Sequence, residues 1–487
     1  MEVQIKELTA KADSNICHIS NDIFDALELS TKTLYKINLG QRYECLYVIP
    51  NEGFDKCMYF SNPVFKKLLL FEDIILNIWR NKEEINLGPV VGIFVKRGVT
   101  EAIRIGKPSF SIQKHGEAGS QMNCLSYYYS VEGINWDEAK IKGYTYDRTI
   151  NNWRCGWFPM PDVLYDLGVS FNDDPKPFVE YMKIVHMLSR PWGITHHKPD
   201  VGYMLQRFRA MNVHFINSRR YLGKWEVHKR LSKYSDSGIY YPKTILYKDF
   251  NDVLSMLNEF GFIFVKASRG AQGKQVLCIE QIDREYKLTF NKHGLKEIIF
   301  NGIEDVRVLV EKFVKGREFV VQQGIRLIKY NGRNMDLRML MMKDGRGEWQ
   351  AVQHHCRIAQ KTYTITNYSM GGDWVDYEEV YPCLGSQFPD RSIPDKEELV
   401  NATRKVVYCF EKEFGPFGEL GMDMAVDMYG NIWFIEANTK PEKISEPSPY
   451  DPKEIPVEAI NVFEYAMFLT SLVRNQPISQ TSTTSSN

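Results

Sequence analysis

Between Gly421 and Asn438 the chain reads as two short apolar strands joined by a turn, and the polar residues on them constrain both the pairing and the chemistry. Gly421-Met422-Asp423-Met424-Ala425-Val426 is followed by Asp427, a turn around Tyr429-Gly430, and Ile432-Trp433-Phe434-Ile435-Glu436-Ala437-Asn438. A turn centred between Tyr429 and Gly430 sets Asp423 directly opposite Glu436, and the two-residue period of a strand adds Asn438 to the same face. Directly opposed residues have Cβ atoms about 4.5–5.5 Å apart, where like charges repel. A cation is therefore expected between them, and three hard oxygen ligands on rigid strands suit Mg²⁺, which keeps waters and shares substrate phosphates. The competing reading is an exposed hairpin edge kept soluble by acidic residues, and Asp427, beside the turn, fits that description.

A second hairpin lies upstream. The apolar run Phe262-Ile263-Phe264-Val265-Lys266 enters the loop Ala267-Ser268-Arg269-Gly270-Ala271-Gln272-Gly273-Lys274 and returns along Gln275-Val276-Leu277-Cys278-Ile279. Small residues let backbone N–H groups approach phosphate oxygens, and a lysine at the strand end meets the same charge. A plain turn reads the same way, and the GxxxxGK[ST] phosphate loop is not present.

The rest of the chain sets the frame. Its 487 residues, 44% of them hydrophobic, suffice for two or three domains with their own cores. Basic and acidic residues number 61 each, so no net field favours nucleic acid or an anionic membrane. The nine cysteines are scattered without a CxxC pair, which points to a reducing compartment. The amphipathic start has no signal-peptide pattern, and the apolar runs are shorter than a membrane helix needs. A cytoplasmic protein is expected. Residues 1–86 read as a small mixed, β-rich domain, with a helix expected over Val64 to Ile78. An α/β domain is expected over 87–215, opening on the buried strand Val90-Val91-Gly92-Ile93-Phe94-Val95. A further domain is expected over 216–474, with helices at Tyr221 to Lys233 and Pro394 to Phe414, and a disordered Ser/Thr-rich tail over 475–487. In the second helix Leu399, Ala402, Val406 and Phe410 share one face, and Gly415 stops it.

In this order the segments resemble the ATP-grasp superfamily, and most strongly its YheC/YheD group of endospore coat-associated proteins. Asn217-Ser218 with Gly223-Lys224-Trp225-Glu226-Val227-His228-Lys229, Pro159-Met160-Pro161-Asp162-Val163-Leu164-Tyr165-Asp166, Phe417-Gly418-Glu419-Leu420-Gly421-Met422-Asp423 and Ile432 to Pro441 carry the likeness. The resemblance implies an α/β architecture of α+β lobes closing on ATP, with Mg²⁺ and Mn²⁺ as its alternative. It implies that Lys224 and Lys266 reach the phosphates, and that Ser268, Gly270 and Gly273 belong to a loop closing over them. Leu309 to Val314 matches the hinge between lobes, near 309–318, where Glu311, Lys312, Phe313 and Val314 meet adenine. Glu318 matches a ribose-binding carboxylate, and Asp423, Glu436 and Asn438 the metal ligands. Arg338 and Arg357, on strands between hinge and metal site, match arginines that grip the transferred phosphoryl group, surface salt bridges being the alternative. Asn367 to Gly372 matches a loop facing the site.

The activity implied is a carboxylate–amine ligase that forms an acyl phosphate and ADP, then an amide. An ATP-binding structural or assembly protein of the spore coat and a kinase that stops after phosphoryl transfer remain open beside it. The partners expected are ATP, an unidentified carboxylate and amine, and spore-coat proteins, with oligomerisation open and neither nucleic acid nor membrane among them. The expected location is the bacterial cytoplasm, in the mother cell and at the spore coat. Ala267, where many relatives have proline, and Lys274 depart from the usual pattern and put loop closure in doubt. His354 and His355 are adjacent, so a strand points them to opposite faces and they cannot share a metal; His196 and His197 are placed alike. The basic run of Arg219, Arg220, Lys224, Lys229 and Arg230 reads as a solvated face.

Overall fold

The computed structural model describes residues 1–8, 16–53, 55–168, 201–269, 275–291, 295–359, 373–388, 390, 392–441, 443 and 453–470, and the elements below are those of the described residues. The chain forms two compact units. One comprises Met1–Ile216, Lys343–Glu348 and Lys443–Asn487, the other Asn217–Met342 and Trp349–Glu442.

In the first unit, strands β1 (Glu2–Leu8), β2 (Ile16–Ser20), β3 (Leu34–Leu39), β4 (Arg42–Asn51), β5 (Cys57–Ser61), β6 (Ile75–Asn81) and β7 (Glu84–Gly88) close into a barrel in the order β1-β5-β2-β4-β3-β7-β6. Alternate residues point inward, among them Val3 and Ile5, Ile37 and Leu39, Met58 and Phe60, and Leu76 and Ile78, all buried. The helix expected over Val64 to Ile78 is shorter. It spans Asn62–Leu68 and stops where Leu69 turns left-handed at φ 60°, and the apolar residues that follow alternate as β6.

The same unit carries a sheet of β8 (Val90–Phe94), β9 (Leu125–Tyr129), β10 (Ile134–Asn135), β11 (Lys140–Asp147), β12 (Asn152–Pro159), β13 (Val163–Asp166) and β14 (His214–Phe215). Its order is β10-β11-β9-β8-β13-β14, with β12 on β11. β9, β8, β13 and β14 run parallel, and all five residues of β8 are buried, as a strand covered on both faces requires. The helix Val457–Leu469 belongs here, not to the C-terminal domain expected to run to 474. It packs on the helix Phe110–Gln121, where a Cβ on Gly119 would lie 2.9 Å from the Phe463 ring.

The second unit has two sheets. The first is β15 (Thr244–Leu246), β16 (Phe262–Ala267), β17 (Val276–Ile282), β18 (Glu285–Asn291), β19 (Leu295–Phe300) and β20 (Phe319–Gln323), ordered β15-β20-β16-β17-β18-β19. Helices Phe250–Phe260 and Ile303–Phe313 cover it, burying Val253, Leu257, Val306 and Val310 against Ile263, Val265 and Val321. The second sheet is β21 (Lys329–Tyr330), β22 (Arg333–Lys343), β23 (Trp349–Ile358), β24 (Asp373–Asp376), β25 (Glu419–Val426) and β26 (Ile432–Asn438), ordered β24-β23-β22-β25-β26 with β21 on β22. Helix Lys396–Phe414 opens on a capping box of Asp395 and Glu398 and buries Leu399, Ala402, Val406 and Phe410 against this sheet.

The expected hinge needs correction. Leu309 to Val314 is the end of a helix, because Val306, Val310 and Val314 recur at four-residue spacing and are buried. The chain passes between the two sheets after β20, through residues 324–328, where Ile328 N donates to Val426 O at 2.9 Å.

Among the described residues no helix is long and apolar enough to cross a membrane.

Candidate functional site

On β22, Met335, Leu337, Met339 and Met341 enter the core, so strand alternation turns Asp336 and Arg338 to the opposite face. On β25, Leu420, Met422, Met424 and Val426 do the same and leave Asp423 beside them. Asp423 is the strand partner of Arg338 on one side and of Glu436 on the other, so three charged residues form a row across three strands.

The row depends on an irregularity. Asp423 pairs with Glu436, but Met424 pairs with Phe434, so Ile435 is an extra residue in β26. Phe434 faces the core, and without that bulge alternation would turn Glu436 to the core as well. The turn is centred on Tyr429, half a residue from where the sequence suggests, and Ile435 restores the expected Asp423–Glu436 pair. Asp427 is no solvated bystander. It is 6% exposed, and its carboxylate accepts from Tyr429 N at 2.8 Å, Asn431 N at 3.0 Å, Asn431 Nδ2 at 2.9 Å and Trp433 Nε1 at 2.9 Å, which builds the turn.

Each carboxylate of the row has cationic neighbours. Arg338 Nε lies 2.9 Å from Asp423 Oδ1, and Arg357 Nη2 lies 3.1 Å from Oδ2. The Arg338 contact is off hydrogen-bond direction, so Oδ1 is buried without a hydrogen bond. Arg357 is 5% exposed and is held by Asp336 through Nε to Oδ1 and Nη2 to Oδ2, both 2.7 Å. This two-point pair inside the sheet is neither a free phosphate clamp nor a surface salt bridge. Lys224 Nζ lies 3.3 Å from Glu436 Oε2. Burial raises the Glu436 carboxyl, but Lys224, Lys266, Arg338 and Arg357 outweigh it and hold the group down at about 2. Burial pushes the Asp423 carboxyl above its ordinary range, against the two arginines, and the neighbouring Glu436 adds to the rise.

The two lysines come from different elements. Lys224 opens the helix Lys224–Leu231, where its N–H donates to Ser268 O at 2.9 Å; Tyr221 Oη donates to the same carbonyl at 3.0 Å. Ser268 is 2% exposed, so in this structure its main chain ties that helix to the end of β16. Lys266, on β16, donates from Nζ to Gln322 Oε1 at 2.7 Å. Burial draws its ammonium down to about 8, although Glu436 pulls the other way.

The structure thus brings together Lys224, Lys266, Arg338, Arg357, Asp423 and Glu436. Asn438 lies one face period beyond Glu436, with its Nδ2 buried and unpaired. Glu311, Lys312 and Glu318 are exposed, Phe313 is half-buried and Val314 is buried in the core below the first sheet, so none of the five joins the row. Gly270, Gly273, Asn367 to Gly372, His196 and His197 and the tail from 475 lie outside the described residues. His354 pairs with Glu378 and His355 with Asp376. In the basic run, Glu226 pairs with both Arg219 and Arg230.

Asp336, Gln322 and Thr244 take part beside the residues of the sequence motifs. Asp336 was signalled by its two-residue spacing from Arg338. Gln322 and Thr244 carried no such signal, because only the pairing of β15, β20 and β16 makes them neighbours of Lys266. Asn217, known only as part of a motif, accepts from Gly418 N and Glu419 N and donates to Glu419 O and Thr439 O, which clamps the ends of β25 and β26.

The donor set fits a hard divalent cation. Two carboxylates and an amide oxygen stand on one face, and a buried carboxylate oxygen and a buried amide lack hydrogen-bond partners. Among the described residues no group of three His, Cys, Asp or Glu side chains is arranged to hold a metal, so the remaining ligands would come from water and phosphate.

The model of the YheC/D-like ATP-grasp family matches residues 212–469. The endospore coat-associated protein YheD of Bacillus subtilis (strain 168) is 23% identical over 472 residues, covering 94% of this chain and 95% of that protein. YheC of the same organism, also endospore coat-associated, is 24% identical over 361 residues, covering 70% and 90%. Among solved structures, the ATP-grasp ligase PsnB complexed with minimal precursor is 10% identical, with 77% of this chain and 98% of that one covered at a TM-score of 0.43. With its family model spanning more than half of the sequence, from the clamp at Asn217 through the Asp423–Glu436 row, the chain belongs to the YheC/D-like ATP-grasp family.

Proposed function

We propose that this protein is a Mg-ATP-dependent ligase that activates a carboxylate as an acyl phosphate for attack by an amine, acting in spore formation. The observation that carries the reading is the meeting of Lys224 and Lys266, from separate elements, at Glu436 beside Asp423. Bound Mg-ATP supplies the γ-phosphoryl group: a substrate carboxylate takes it as an acyl phosphate with release of ADP, and an amine then displaces phosphate to leave an amide. Asp423, Glu436 and Asn438 hold the metal, while Lys224 and Lys266 offset phosphate charge. Arg338 is the arginine that reaches the transferred group, because it meets Asp423 Oδ1 without a directed hydrogen bond, whereas Arg357 is committed to Asp336 by two. These groups work by position and charge, so no covalent protein intermediate is needed.

The spore role draws on the coat-associated names of the relatives, and with it the proposed location in the mother cell and at the coat. The test is ADP release across panels of carboxylates and amines with mass detection of products. Amide formed in step with ADP supports the ligase. A phosphorylated alcohol in its place makes the protein a kinase, and tight ATP binding without turnover leaves a coat-assembly role.

A further inference from the structure

Asp423 is the only carboxylate of the row that touches two guanidinium groups, among the described residues, and the two contacts are unlike. Arg357 is bound twice to Asp336 and is nearly inaccessible, so it is a fixed part of the sheet. The Arg338 side chain is one-fifth exposed and meets Asp423 Oδ1 at 2.9 Å without a directed hydrogen bond. Room for it exists because residue 421 is glycine: a Cβ there would lie 2.8 Å from Arg338 Nη1.

We propose that Arg338 is a stand-in for the divalent cation at Asp423, displaced when nucleotide phosphates arrive, so that metal enters this site together with ATP and not before it. The proposal rests on the Mg-ATP reading of the site. Charge supports the order. Four cations, Lys224, Lys266, Arg338 and Arg357, face three carboxylates, Asp336, Asp423 and Glu436, leaving one net positive charge. A divalent ion brought alone meets that excess and a guanidinium already on its ligand. A polyphosphate reverses the balance, and it offers Arg338 a planar, bidentate partner better than the misdirected contact with Oδ1. Arg338 then moves from ligand to substrate, while Arg357, anchored by Asp336, keeps Asp423 in place. Asp336 is accordingly a positioning residue.

The test uses the full-length chain and Mn²⁺, with free ion followed by electron paramagnetic resonance, with and without the non-hydrolysable analogue AMP-PNP. The wild type is expected to hold Mn²⁺ at least tenfold more tightly with AMP-PNP than without it. Arg338→Met, which keeps bulk and removes charge, is expected to bind Mn²⁺ without nucleotide at least tenfold more tightly than the wild type. Arg338→Lys keeps a cation at Asp423 and is expected to stay weak. Equal Mn²⁺ affinity of the wild type with and without AMP-PNP overturns the proposal even if neither variant folds. So does a folded Arg338→Met variant whose nucleotide-free affinity is unchanged. Failure of AMP-PNP to bind at all overturns the nucleotide-site reading itself, and the proposal with it.

Discussion

Lys266 Nζ donates to Gln322 Oε1 at 2.7 Å, and Gln322 Nε2 donates in turn to Thr244 Oγ1 at 2.9 Å. Thr244 Oγ1 donates to Pro242 O at 2.9 Å, so a chain of three hydrogen bonds across β16, β20 and β15 aims one ammonium group. Each link fixes the next.

Gln322→Met keeps the volume and removes the acceptor. Loss of a hydrogen bond to a charged group costs about 1.5–3 kcal/mol. Nucleotide affinity is therefore expected to fall roughly 10- to 150-fold, with the melting temperature changed little, as measured by calorimetric titration and thermal unfolding. Thr244→Val should give a smaller loss in the same direction. Affinity unchanged in both variants would show that the chain does not aim Lys266.

Asp427 gives a prediction about stability alone. Its four accepted bonds span the turn, so Asp427→Ala should cost about 2–4 kcal/mol in denaturant unfolding, summing typical net values. A solvated residue would cost less than about 0.5 kcal/mol. That smaller value would return Asp427 to the exposed role the sequence suggested.

The fold and the site were legible to different depths. Asp423, Glu436 and Asn438 could be placed on one face because a hairpin pairs neighbours in sequence. Even there the pairing hid two offsetting irregularities, a turn centred on Tyr429 and the extra Ile435. The hinge near 309–318 rests on the resemblance of Leu309-Val310-Glu311-Lys312-Phe313-Val314 to the family's hinge, while the four-residue recurrence of Val306, Val310 and Val314 makes the segment the end of a helix. The barrel was legible only as strands. Its closure joins Glu2 to Asn77, and no local pattern reports a contact across that separation. The Asp336–Arg357 pair joins the consecutive strands β22 and β23, a hairpin whose register the sequence does not fix.

Two titratable groups in the first unit set opposite pH dependences. Burial lifts the Asp162 carboxyl to about 6, although Val90 N donates to it at 2.9 Å. The folded state then binds more protons than the unfolded one between the ordinary value and about 6, so stability is present at low pH and is lost as pH rises through 6. Burial, helped by Lys443, draws His115 down to about 4, against the bond from its Nδ1 to Ser111 O. Its contribution has the other sign: present above the ordinary imidazole range and lost as pH falls through 4. Unfolding free energy measured from pH 4 to 7 should therefore diverge between variants. Relative to wild type, Asp162→Asn should gain stability as pH rises, and His115→Gln should gain as pH falls. Parallel curves for the two variants would contradict both assignments.

In the proposed function Lys266 and Glu436 are two sides of one nucleotide site. The most direct measurement is calorimetric titration of Mg-ATP into the wild-type protein and into Lys266→Ala, both first shown to be folded. A single binding event in the wild type, weakened by roughly 10- to 150-fold or more in the variant, is the expected result, from the worth of one charge-assisted contact. Equal affinity in the two proteins would contradict the assignment of this face to ATP.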